Sequence, residues 1–379
     1  TYTVVAESSN ALTLGNDVAV NTFTTGNQSG QSVALLSTGN VAVVWQSAAQ
    51  GGGDGSGVSG IYGQLLSSTG AKVGGEFVIS NVSSNIDELT PVVAPLASGR
   101  YVVAYATNAG GGYDIRFRFV EANGTVGGEF SANTTTAGAQ TYPAIVTTLD
   151  GNFVVAWNSD NGDIRARKFN TAGAAVTAEV LFADGNVAGG YYPFVAALSN
   201  GDYALAWADY AASHIFVRTA PGGVPGTVID TGIITGGYTP PRVVGLSNGS
   251  FVVASESYNA GSTRYQIEAI RYSNAGAVQT AKFQVNTVST GNRYAASVAA
   301  LTGGGFIVGW GADNGDFDLS GIFGRRYSAT AVAVDAAEFQ INQHRLDDQN
   351  YPALAPGAVD LVRATGTDVA TIATDGESL

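Results

Sequence analysis

One phrase recurs seven times along this chain and constrains its fold more than any other feature. It opens on glycine and closes a β-branched run on an aromatic. It reads GNVAVVW from Gly39, GRYVVAY from Gly99, GNFVVAW from Gly151, GDYALAW from Gly201, GSFVVAS from Gly249 and GGFIVGW from Gly304, with a worn copy, GTDVATI, from Gly366. Successive glycines are 60, 52, 50, 48, 55 and 62 residues apart. Other landmarks keep step. Gln31, Pro91, Pro143, Pro193, Pro241 and Ala296 each lie 8 residues before their glycine, and Pro352 lies 14 before Gly366. Ten residues before each of those stand Asn21, Asn81, Asn133, Ala183, Thr231, Asn286 and Asn342. A length of 379 would suggest two or three domains, but a fixed repeat overrides that prior.

Each unit holds four strand signals. The first starts at the proline, where a missing N–H does least harm. The second is the FVVAW run. The third is an outer run such as IYGQLL or DIRFRFV, and the fourth is EFxVN, with Gly and Asn at the joints. No segment has helical periodicity over a useful length, and no apolar run reaches the roughly 18–20 residues of a membrane span. Four antiparallel strands per unit of about 50 residues, repeated, is the pattern of a β-propeller. The seventh unit ends after its second strand, and residues 1–21 align with 60–80 without a gap. The expectation is an all-β, seven-bladed propeller over 1–379, one blade being closed by N- and C-terminal strands.

Composition excludes several functions. There is no cysteine, hence no disulfide, thiolate metal site or Cys nucleophile. A net charge of -13 argues against nucleic acid as a partner. Two histidines, His214 and His344, leave little room for a zinc or triad enzyme. The absence of methionine suggests a processed chain.

Function is expected in the loops that vary on a fixed scaffold. The loops between second and third strands vary most and are acidic. The sharpest is GADNGDFDLSG, where Asp313, Asn314, Asp316 and Asp318 offer hard oxygens for Ca²⁺ without the spacing of an EF-hand. The alternative is a solvated acidic loop. Tyr142, Tyr191, Tyr192, Tyr238, Tyr294 and Tyr351 precede the first strands and would ring one face, suited to stacking on sugar or protein, or else filling space between blades. The aromatics that end the second strands are read as packing between blades. The arginines of the third strands are read as an outward face. No carboxylate pair is singled out for glycosidase work, so an enzyme is not expected.

The phrases GNVAVVWQSAAQGGGDGSGVSGIYGQ (39–64), VGGEFSANTTTAGAQTYP (126–143) and GNFVVAWNSDNGD (151–163) together resemble a repeat of large secreted bacterial proteins that often carry hemolysin-type (RTX) calcium repeats. The resemblance spans nearly the whole chain and implies a secreted or cell-surface bacterial location. The RTX nonapeptide itself is absent, so its calcium is not implied. The resulting expectation is a surface adhesion propeller recognising a glycan or surface protein through its loop face, with Ca²⁺ as the candidate ion. A self-assembling structural subunit is the alternative, and a polysaccharide hydrolase or lyase comes third.

Overall fold

The computed structural model describes residues 5–8, 11–14, 19–48, 50, 58–81, 86–185, 190–235, 240–301, 303–313, 320–341, 350–355, 360–365 and 368–369. Six four-stranded antiparallel sheets account for most of them, each ordered as in the sequence from inner to outer strand. The inner strands are Gln28–Leu35, Glu88–Pro95, Gln140–Thr147, Gly190–Ala197, Arg242–Leu246 and Arg293–Ala300, in blades one to six. Each contacts the next, so they surround a common axis. The second strands are buried along almost their whole length, because neighbouring blades cover both faces; that is why they read as continuous apolar runs. Outer strands face solvent.

The closing blade differs from expectation. The C-terminal strands Asn350–Ala355, Asp360–Thr365 and Asp368–Val369 form a three-stranded sheet, in contact with both the sixth blade and the first. Among the described residues the N-terminal strands Val5–Ser8 and Ala11–Leu14 pair only with each other. The described residues therefore form six four-stranded blades, not the seven expected, and no N-terminal strand joins the C-terminal sheet among them. The second strand of the last unit falls on DLVRAT, ahead of Gly366, because Ala355 pairs with Asp360 across a short turn. Asp368–Val369 then folds back on the edge that an N-terminal strand would have needed.

The blades meet through apolar clusters. Phe117, Phe119 and Trp157 join blades two and three, and Trp310 packs with Val252 and Ala254 between blades five and six. Trp45, Tyr105, Trp157, Trp207 and Trp310 are at most 2% exposed, as architectural residues should be. Two indoles are also tied: Trp45 Nε1 donates to Gln28 Oε1 at 3.1 Å and Trp157 Nε1 to Gln140 Oε1 at 3.0 Å. Polar latches cross the seams. Glu76 accepts from the Thr22 N–H and hydroxyl, Glu179 from Thr134 and Thr135, and Glu338 from Thr287 and Val288. The EF phrase thus supplies a carboxylate that holds the turn after the preceding blade's last strand. The arginine face is less outward than expected: Arg271 and Arg326 are 9% and 6% exposed.

Candidate active site

In blades one to four and six the inner strand begins three residues before the landmark, not at it, and carries a β-bulge there; in blade five it begins at Arg242, just after Pro241. Pro91, Pro143 and Pro193 occupy the bulge, where no ladder N–H is required. The residue before the landmark takes positive φ: Gly30 63°, Thr90 52°, Tyr142 50°, Tyr192 52° and Ala295 53°. This local geometry turns two tyrosines outward on one face. Tyr142 is 37% exposed and its ring centroid lies 4.4 Å from that of Tyr192 in the next blade. Tyr191, also 37% exposed, lies 5.2 Å from Tyr210. Tyr294 is half-buried with its ring against Gly311, where an added Cβ would lie 2.3 Å from it. Tyr238 and the side chain of Tyr351 lie outside the described residues. Of the predicted tyrosine ring, the structure therefore brings together Tyr142 and Tyr192, with Tyr191 beside them in sequence.

The predicted calcium loop is described only at its first member. Asp313 Oδ2 accepts from Asn292 Nδ2 at 2.8 Å; Asn314, Asp316 and Asp318 lie outside the described residues. Among the described residues no three acidic or histidine side chains cluster as a metal set.

Three buried carboxylates sit at the bulge-bearing ends of the sheets. Glu88 replaces the glutamine of Gln28 and Gln140. Blade two has Tyr105 in place of tryptophan, and its hydroxyl donates to Glu129 instead, so Glu88 has no indole to serve. Burial pushes the Glu88 carboxyl up to about 7, against hydrogen bonds from Ser80 and Asn81. Asp209 replaces the hydroxyl of Ser47, Thr107 and Ser159. It is fully buried, with Oδ1 accepting from the Ala212 N–H at 2.9 Å and Oδ2 unpartnered. Gly190 stands opposite it.

Glu256 is the third and the best placed. It follows Ser255, the worn position of the second-strand aromatic. Its Oε2 accepts from the N–H of Ala295, in the bulge of blade six, at 3.3 Å. Burial raises its carboxyl to about 7, and the Ala295 bond only partly opposes this. Gln46 is the equivalent in blade one and accepts from the Thr90 N–H at 2.9 Å. The bracket across the seam therefore needs only an amide oxygen; the acid at 256 adds a proton that titrates near neutrality.

Arg242 lies beside it. Arg242 pairs with Ala254, two residues before Glu256 on the adjoining strand. Ala254 packs with Ala296 and Val298 of blade six, so alternation starts Arg242 and Glu256 on that same side. They are diagonal neighbours, roughly 7–8 Å apart at the backbone. Yet the guanidinium sits over the Phe194 ring of blade four, 4.7 Å from its centroid. The Phe194 ring belongs to the inner strand Gly190–Ala197 of the preceding blade.

The sequence reading took the acids of the second-to-third loops only as a group and passed over Glu88 and Arg242. Aligning the units would have exposed all four: Asp209, Glu256 and Arg242 are the lone charge of their columns in blades one to six, and Glu88 shares its column with one other charge, Arg293.

No protein-family model and no curated protein matches the chain. Solved structures do. A protein of unknown function from Dyadobacter fermentans superposes with TM-score 0.55 at 10% identity, over 78% of this chain and 93% of that one. A single-site mutant of the NanB sialidase from Streptococcus pneumoniae gives TM-score 0.57 at 9% identity, over 79% of this chain and 68% of that one. The endo-arabinase from Bacteroides thetaiotaomicron aligns over 85% of this chain and 100% of that one, at 12% identity and TM-score 0.44. The likenesses to the Dyadobacter protein and to the sialidase support the propeller fold. They give no counterpart for the repeat of RTX-associated proteins. They also overturn the expectation of a non-enzymatic adhesion module and its structural-subunit alternative. The counterparts with a named activity are glycan-processing enzymes, the class placed third on sequence. Among the described residues no helix is long and apolar enough to cross a membrane.

Proposed function

We propose that this propeller is a glycan-cleaving hydrolase working at the bulge-bearing face, with Glu256 as general acid. The observation that carries the reading is the Glu256 carboxyl. It lies at the seam of blades five and six, holds its proton up to about pH 7, and occupies a bracket position that glutamine fills in blade one. A glycosidic oxygen needs a proton as its bond breaks, and an acid titrating near the working pH delivers it best. The fold shared with the pneumococcal sialidase supports a glycan as substrate. Exposed Tyr142 and Tyr191, with half-buried Tyr192 against Tyr142, supply apolar faces with polar tips, the surface on which sugar rings stack. An extracellular location is the reading that goes with such a substrate.

Release of reducing ends from a panel of neutral and acidic polysaccharides tests this. Glu256→Gln keeps the bracket, as Gln46 does, so its melting midpoint at about pH 5, where the wild-type carboxyl is protonated, should stay near wild type while kcat falls by roughly 10²-fold or more. Tyr142→Ala or Tyr192→Ala should raise KM and spare kcat. A Glu256→Gln protein that cleaves like wild type would remove Glu256 from the chemistry, and no cleavage of any substrate by the wild type would remove the hydrolase reading.

A further inference from the structure

We propose that Arg242 is the anchor for a carboxylate on the bound sugar, which makes the substrate an acidic, uronate-bearing glycan. This rests on the glycan reading and names its substrate class. The guanidinium makes two contacts: Nη1 donates to the carbonyl of Pro241 at 3.3 Å, and its plane caps the Phe194 ring. Among the described residues it makes no ion pair. The other arginines near sheet ends differ. Arg165 bridges Asp163 and Glu179, Arg293 faces Glu338 at 3.7 Å, and Arg326 meets Asp335 at 2.7 Å. Arg167, Arg218, Arg271 and Arg325 also lack a carboxylate among the described residues, but each directs donors to carbonyls or a hydroxyl elsewhere in the fold, whereas Arg242 directs one only to the carbonyl of its chain neighbour.

The physical reason is desolvation. Protein crowds Arg242 enough to bring its pKa down to about 10, so it carries a full charge at neutral pH in surroundings that do not compensate it. A planar fork of donors with most N–H groups unused matches the two oxygens of a carboxylate. Arg242 opens the inner strand of the strand pair that carries Glu256, and its guanidinium lies against the inner strand of blade four. Phe194 beneath it fixes the plane of the fork. The column that Arg242 occupies holds Ser32, Val92, Ala144, Phe194 and Ser297 in the other blades, none of them charged. Ser32 and Ser297 there accept backbone N–H groups of the next inner strand, from Val93 and Leu354, so the architectural need at this position is met by a hydroxyl.

Binding of three oligosaccharides, measured by calorimetry, separates the outcomes: an oligogalacturonide, its fully methyl-esterified form, and a sulfated neutral oligosaccharide of equal length. The oligogalacturonide should bind wild type at least tenfold more tightly than the ester. Arg242→Met should abolish that preference, and Arg242→Lys should keep part of it, with thermal melting confirming that both fold. Equal binding of acid and ester, no binding of either, or a preference that survives Arg242→Met overturns the inference. A preference for the sulfated sugar that depends on Arg242 also overturns the carboxylate assignment. Glu256→Gln should bind as wild type does. Binding of the acid form without cleavage by wild type would sink the hydrolase reading and leave Arg242 standing.

Discussion

At position 90 the backbone holds a β-branched residue at φ +52°, with its hydroxyl buried and unpartnered. The left-handed conformation costs an L-residue about 1–2 kcal/mol, and the orphan hydroxyl about 1 kcal/mol or more. Glycine there gives back about 1 kcal/mol in unfolded-state entropy. Thr90→Gly is therefore expected to stabilise the protein by about 1 kcal/mol, read from the denaturant midpoint, and a lower midpoint would show that the side chain packs usefully. The equivalent strain at Tyr142 and Tyr192 has a different meaning. A bulge that forces positive φ on tyrosine, where glycine suffices at Gly30, orients two aromatic rings on the same face. Glu256 follows the same logic: a glutamine satisfies the bracket, and the acid adds chemistry.

Between elements, the outer-strand glutamates do what a disulfide does in chains that have cysteine. Glu179 is 5% exposed at its side chain and joins blade three to the turn after blade two. Burial alone would raise its carboxyl; the bonds from Thr134 and Thr135 outweigh burial and bring it down to about 2. A folded pKa below the unfolded one, about 4.3, gives stability that is present above that value and lost as pH falls towards 2. Glu179→Gln should thus lower stability by about 1–2 kcal/mol at neutral pH and by little at pH 2. Urea melts at the two pH values check this; a loss independent of pH would mean that the ionised form does not matter.

Across the whole molecule the two kinds of carboxylate oppose each other. Glu88 and Glu256 are raised to about 7 by burial, so their stabilising protonated forms are complete below about pH 4.3 and are lost as pH rises to 7. Glu179 works in the other direction. Stability is expected to peak between about pH 4 and 5 and to fall on both sides, with the alkaline fall reduced in Glu256→Gln. A thermal-melting series across pH tests this, and a plateau through neutrality would contradict it. The ring itself tolerates an incomplete closing sheet because adjacent blades bury their faces pairwise. Each seam adds its own apolar contacts, as in other repeat architectures.

The sequence by itself determined the period, the all-β class, the four-strand unit and the burial of the second-strand aromatics. These follow from short-range patterning that every unit repeats, such as the run Phe153–Trp157 and its Gln140 partner. It also placed Tyr142, Tyr191 and Tyr192 near one face. It did not determine the closing blade: Asp360–Thr365 pairs locally with Asn350–Ala355 in the place expected of the run after Gly366, and the joining of an N-terminal strand to that sheet is a pairing between opposite ends of the chain, which local patterning does not decide. Nor did it mark Glu88, Glu256 or Arg242 as unusual, since an acid or a base in a loop-proximal position is ordinary in a sequence. Only the tertiary structure showed two of them buried away from water and the third half-buried against Phe194 with no ion pair among the described residues, and desolvation by neighbouring blades is what turns those residues into chemistry.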